Sequence, residues 1–134
     1  MRDNPALIAS LVPEIIRYVT PVIHMRRTAT HDADLGGQHI RAGDMWYVSG
    51  NREPDAIEDP DNFIIDRPRP RQHLSFGFGI HRCVGNRLAE LQLRILWEEL
   101  LPRHPVIEVL AAPRRTYSNF IHGMRSMPVR ISLH

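Results

Sequence analysis

The spacing of apolar positions along this chain changes several times, and each change predicts a different element. Asn4-Pro5 reads as a helix opening, because a cap residue precedes a proline whose missing N–H costs nothing in a first turn. A short helix over about 5–11 follows. Pro13 then opens a second, in which Ile15, Ile16 and Val19 surround the charged pair Glu14 and Arg17 before Pro21 stops it. Residues 22–25 and 33–40 turn to short extended pieces broken by Gly36-Gly37 and Gly43-Asp44, and 45–48 is dense in aromatic and branched residues. Together these predict a small antiparallel sheet.

Residues 50–75 have little periodicity and are crowded with proline, aspartate and arginine, which makes them long for a connection inside a compact domain. Phe63, Ile64 and Ile65 in the middle look buried and predict an ordered loop pinned to the body. The clearest helix comes next, with Val84, Leu88, Leu91 and Ile95 recurring on one face, joined by Leu96 and Leu100 and ended by Pro102. From Val106 onward, short apolar runs alternate with turns and predict two or three strands. Helices and strands intermingle without a βαβ rhythm, so the expected class is α+β, within one domain spanning 1–134.

Composition narrows the class without deciding the chemistry. An apolar fraction of 43% over 134 residues suits a globular domain, and no run approaches the roughly 20 apolar residues of a membrane span. With neither a span nor a signal-like start, the chain reads as cytoplasmic. The net charge is +2 with arginine supplying all the basic side chains apart from histidine, yet no basic and aromatic residues interleave as a nucleic-acid platform requires. A docking face for an acidic protein partner accounts for the arginines better. The single cysteine, Cys83, excludes a disulfide framework and leaves that thiol either inert or chemically employed.

The segment Phe76-Gly77-Phe78-Gly79-Ile80-His81-Arg82-Cys83-Val84-Gly85 decides between those two. Two glycines one residue apart allow backbone angles closed to other residues, so the chain can lie flat against a large planar ligand. The cysteine is expected in the first turn of the helix, where unpaired N–H groups and the positive dipole end stabilise a thiolate. Gly85 removes a side chain that would crowd the ligated face.

This segment resembles the haem loop of the cytochrome P-450 family, F-G-x-G-x-[H/R]-x-C-x-G, with every fixed position present. Glu14-Ile15-Ile16-Arg17 resembles the family's E-x-x-R pair, and Phe63-Ile64-Ile65-Asp66-Arg67 the later segment whose arginine completes a buried ion-pair network. The resemblance covers nearly the whole chain. It implies the C-terminal, haem-binding portion of a mainly helical fold with small antiparallel sheets, and haem b as cofactor. Cys83 would be the iron ligand, with Phe76, Gly77, Gly79 and Gly85 shaping its loop. Arg26 and His81 would meet the haem propionates, and Glu14, Arg17 and Arg67 would lock the core. TPVIHMRRTAT, MWYVSGNR and NRLAELQLRILWEEL are most similar to bacterial alkane and fatty-acid terminal hydroxylases. That places Val22, Ile23, His24 and Met25 on the substrate side of the haem, together with Phe120, Ile121 and Met124.

The implied reaction inserts one oxygen atom from O2 into a C–H bond of a small hydrophobic substrate, with electrons from a ferredoxin-type donor and its reductase. The family's oxygen-activating helix has no counterpart in the sequence, so the chain reads as the final portion of a longer protein and is not expected to complete catalysis alone. Between Gly43-Asp44 and Met45-Trp46 it is three residues shorter than the family pattern, and an odd deletion reverses which face each side chain takes, which puts the strand's pairing in doubt. Three rival readings remain: a thiol enzyme with Cys83 as nucleophile and His81, His73 or His104 as base; a metal site of His73, His81 and Cys83; and a non-catalytic remnant.

Overall fold

The computed structural model describes residues 4–103 and 106–132, so His104 lies outside the described residues. Where proline spacing predicts two short helices there is one. A 3-10 turn at Pro5–Leu7 runs directly into helix α1 (Ile8–Val19), with Pro13 inside it. A proline in a helix interior forfeits a hydrogen bond and crowds the carbonyl four residues back, at about 3 kcal/mol. Tertiary burial offsets that cost: Pro13 is fully buried, and Ile8, Val12 and Ile16 pack against Phe76, Leu93, Trp97 and Leu101. The helix stops at Thr20, which is left-handed at φ 43, just before Pro21.

Strand β1 (Met25–Thr28) pairs antiparallel with β4 (Met45–Val48), and β2 (Ala33–Leu35) with β3 (Gln38–Ile40). The extended piece expected at 22–25 is therefore displaced toward Arg26 and Arg27, and Val22 makes only an isolated bridge to Ile121. Strand β4 is not frayed: all four of its residues pair, from Met25 with Val48 to Thr28 with Met45. Gly43 takes φ 90, its N–H donates to Ala29 O at 2.9 Å, and Ala29 N–H donates to Asp44 O at 3.0 Å.

The second long helix, α2 (Asn86–Leu100), packs on α1 and continues through a 3-10 turn, Leu101–Arg103, that contains Pro102. Val84, expected on this helix, lies in the turn ahead of it. Among the described residues the C-terminal region holds four strands, not two or three: β5 (Val106–Val109) pairs with β8 (Val129–Ser132), and β6 (Arg114–Arg115) with β7 (Met124–Ser126). A strand made of two arginines offers no apolar alternation to read. The mixed architecture is α+β, as expected. Among the described residues, no helix is long and apolar enough to cross a membrane.

Candidate functional site

Two regions surround the place where α1, the long loop and α2 meet. The first is a buried ionic hub. Glu14 and Arg17 are 0% exposed and Arg67 is 6% exposed. Arg17 forks onto Glu14, with Nε to Oε2 and Nη2 to Oε1 both at 2.8 Å, and Arg67 Nε donates to Oε2 at 3.0 Å. Ile64 N–H adds a bond to Oε1 at 2.9 Å. The guanidinium hydrogens left over bind peptide carbonyls of the loop: Arg17 holds Asn51 O, Pro60 O and Asn62 O, and Arg67 holds Glu58 O, Asp59 O and Asn62 O. Burial alone would raise the Glu14 carboxyl, but the Arg17 bond, the Ile64 amide and Arg67 outweigh it and pull the pKa from 4.5 to about 2.

The loop is thus pinned to the body as expected, with Ile64 and Ile65 half-buried and other residues contributing more. Phe63 is 42% exposed and only stands edge-on to Tyr18 at 5.4 Å, whereas Ile57 at 5% and Asn51 at 3% are buried. The Asn51 amide donates to Thr20 Oγ1 and Ser75 Oγ, and its Oδ1 accepts the Leu74 N–H at 2.6 Å. Nothing in the sequence marks this asparagine, since turn-rich segments are full of them.

The second region is the glycine loop. Gly77 and Gly79 take φ 72 and 70, so their conformation favours residues without a Cβ. Cys83 N–H donates to Phe76 O at 2.8 Å and closes the loop, while Cys83 O accepts from Asn86 N–H at 3.4 Å. Cys83 therefore stands ahead of the N-cap Gly85, not inside the first turn of α2. Its sulfur nevertheless lies against that helix start: a Cβ placed on Gly85 would come 3.9 Å from Sγ, in ordinary contact. The thiol is exposed beside the positive end of a helix dipole.

Before it opens a cleft of about 660 Å3. Phe76, Gly77, His81 and Cys83 line it from the loop, Val22, Ile23, His24 and Met25 from the segment after α1, and Ala89 and Leu93 from α2. Arg27 also faces the cleft. Arg26 is not among the lining residues and sends Nη1 toward Met45 Sδ at 3.9 Å, because neighbouring strand residues face opposite ways. Phe120, Ile121 and Met124 are likewise not among the residues lining the cleft; the first two pair with one wall through the backbone, where Phe120 O accepts Ile23 N–H at 3.1 Å and Ile121 bridges Val22. Gly79 and Gly85 shape the loop without lining the cavity.

The donor set would suit a flat macrocycle with an anionic edge, held through a sulfur: an exposed thiol, an aromatic and glycines beside it, and a guanidinium and an imidazole on the same cleft. It does not suit a protein-only metal cage. Among the described residues no three His, Cys, Asp or Glu side chains converge to hold a metal, which removes the His73, His81 and Cys83 centre. His73 is half-buried, and burial lowers its pKa, as do Arg82 and other cations, against the pull of Glu90.

The cytochrome P-450 family profile matches residues 2–124. The chain belongs to this family. Among P-450 relatives it is 43% identical over 132 residues to linalool 8-monooxygenase from Pseudomonas putida, covering 96% of this chain and 32% of that protein. Methyl-branched lipid omega-hydroxylase from Mycobacterium bovis is 40% identical over 131 residues, covering 95% and 30%. Cytochrome P-450-153 from Novosphingobium aromaticivorans superposes with a TM-score of 0.91 at 51% identity, covering 98% of this chain and 34% of that one. The chain thus spans about a third of the length of the curated P-450 relatives it matches.

Proposed function

We propose that this chain is the thiolate-bearing part of a cytoplasmic haem monooxygenase that hydroxylates a hydrophobic substrate, with terminal carbons of alkanes or fatty acids as its targets. The observation that carries the reading is the exposed Cys83 sulfur, set against Gly85 on the floor of the cleft. The name of the lipid omega-hydroxylase relative supports the terminal preference. In this reading residues 1–134 work as the C-terminal part of one larger domain, and the chain by itself does not turn over.

Haem b, when bound, supplies the activation of O2. The protein's own groups divide the remaining tasks. Cys83 would hold the iron through its sulfur and donate electron density to it. Arg27, in place of Arg26, and His81 neutralise the carboxylate edge, since only these two of the three face the cleft. Val22 and Ile23 offer an apolar wall to the substrate. A ferredoxin-type donor, served by its reductase, would meet the basic rim of a second cavity of about 380 Å3, where Arg71, Arg87 and Arg94 outnumber Glu90.

The deciding measurement is the spectrum of the reduced, carbon-monoxide-bound protein reconstituted with haem. A red-shifted Soret band that disappears in Cys83→Ser, with unchanged circular dichroism, is the expected result. Alkylation of Cys83 without any bound chromophore would instead favour a thiol nucleophile. Against that rival, no histidine hydrogen-bonds the Cys83 sulfur among the described residues.

A further inference from the structure

A helix leaves its last carbonyls without intrahelical donors. In α1 they are met largely from outside. Ile16 O accepts Thr20 N–H at 3.2 Å and Ser75 Oγ at 2.9 Å, and Arg17 O accepts Thr20 Oγ1 at 2.5 Å. Tyr18 O accepts Arg52 Nη2 at 2.9 Å, and Val19 O accepts His122 Nδ1 at 3.1 Å. The long loop thus supplies two of these caps, Arg52 and Ser75, while His122 arrives from the β6–β7 connection.

The His122 ring is fixed on both sides. A carbonyl only accepts, so Nδ1 carries the hydrogen; a guanidinium only donates, so Nε2 offers its lone pair to Arg115 Nη1 at 2.8 Å. Around this ring the tip of the connection is sewn to the cleft wall. His122 N–H donates to Pro21 O at 2.8 Å, Ile23 N–H donates to Phe120 O at 3.1 Å, and Val22 bridges Ile121. Ser118 Oγ accepts the N–H groups of Phe120 and Ile121 and shapes the tip. Pro21, Val22 and Ile23 all line the cleft.

We propose that His122, oriented by Arg115, is a positioning residue that latches the 118–122 tip onto the end of α1, and so sets where the apolar wall at Val22 and Ile23 stands for a long-chain ligand. The ligand class rests on the haem-site reading above; the latch does not. Phe120 and Ile121 then act on that ligand through the backbone ladder they make with 21–23.

The test compares wild type, His122→Ala, His122→Asn and Arg115→Ala as haem-loaded proteins. Amide exchange of Ile23 is read by NMR, and dodecanoic acid is titrated by its effect on the Soret band. A net hydrogen bond of about 1 kcal/mol corresponds to roughly a fivefold change. His122→Ala should therefore speed Ile23 exchange about fivefold and weaken dodecanoic acid by a similar factor, with the carbon-monoxide spectrum intact. Asparagine keeps a donor and an acceptor, so His122→Asn should restore both readings, and Arg115→Ala should fall between. Unchanged Ile23 exchange in His122→Ala, or failure of asparagine to rescue, overturns the latch. Faster exchange with unaltered dodecanoic acid affinity overturns its role in ligand positioning. Should wild type show no thiolate spectrum, the haem reading fails while the exchange arm still decides the latch.

Discussion

Glu14 and Cys83 are both acids held near helix α1 and its neighbours, yet their surroundings are opposite. The carboxylate is fully buried and bound by two guanidiniums and an amide, whereas the thiol is exposed and unpartnered by any imidazole among the described residues. One group has spent its bonding capacity inside the protein, and the other lines the cleft with its sulfur exposed. The contrast separates what builds the scaffold from what the scaffold offers. A buried charge without partners is costly, so evolution of a stable hub demands saturation, while a ligand atom must stay free.

The strongest way to break this comparison is to neutralise the hub. Glu14→Gln leaves Arg17 and Arg67 buried without their anion, and chemical denaturation should show a loss of about 3–5 kcal/mol. A loss under about 1 kcal/mol would mean that the loop carbonyls alone suffice for both cations. Acid gives the next largest effect. Because the Glu14 pKa is lowered from 4.5 to about 2 on folding, its stabilisation is complete above pH 4.5 and disappears as pH falls through 2. On the order of 3 kcal/mol should be lost over that window, measured as the difference between wild type and Glu14→Gln, which lacks the titration.

Substitutions in the glycine loop should be milder. Gly79 takes φ 70 with nothing within 4 Å of an added Cβ, so Gly79→Ala meets backbone strain and no clash, and a cost of about 1 kcal/mol is expected in thermal unfolding. Smallest of all, Cys83→Ser should change the stability of the haem-free protein by less than about 0.5 kcal/mol, since the thiol makes no buried contact to lose. The same substitution should abolish thiolate ligation. A large effect on folding with no effect on the spectrum would invert the contrast between the two acids.

Legibility followed the same division. The backbone of the glycine loop was readable because its requirements fall on neighbouring residues, Gly77 and Gly79, both of which take positive φ. The hub was readable only through resemblance, because Glu14 and Arg17 alone look like an exposed helical pair and the fifty-odd residues between them and Arg67 carry no local sign of contact. Arg26 and Arg27 could not be told apart for a different reason: choosing between adjacent arginines needs the strand register, which the three-residue shift of the β1 boundary, from 22 to Met25, obscures. Pro13 misled for want of tertiary information, since its propensity argues for a break that packing overrides. Phe120 and Ile121 share the neighbourhood of the cleft, pairing by backbone with Val22 and Ile23 on its wall.

Arg17 and Arg67 grip the long loop by peptide oxygens, at Asn51, Glu58, Asp59, Pro60 and Asn62, and not by the side chains those residues carry. Every amino acid has that oxygen. From Glu58 to Asn62 the path is therefore held largely from outside, and the alphabet there is left open wherever the backbone angles permit, apart from the Asn62 amide that donates to the Asp59 carboxylate. A stretch that looks arbitrary when spelled out can be as rigidly routed as any strand, and libraries randomised between Glu58 and Asn62 offer a place to alter the protein's outer face while its interior stays the same.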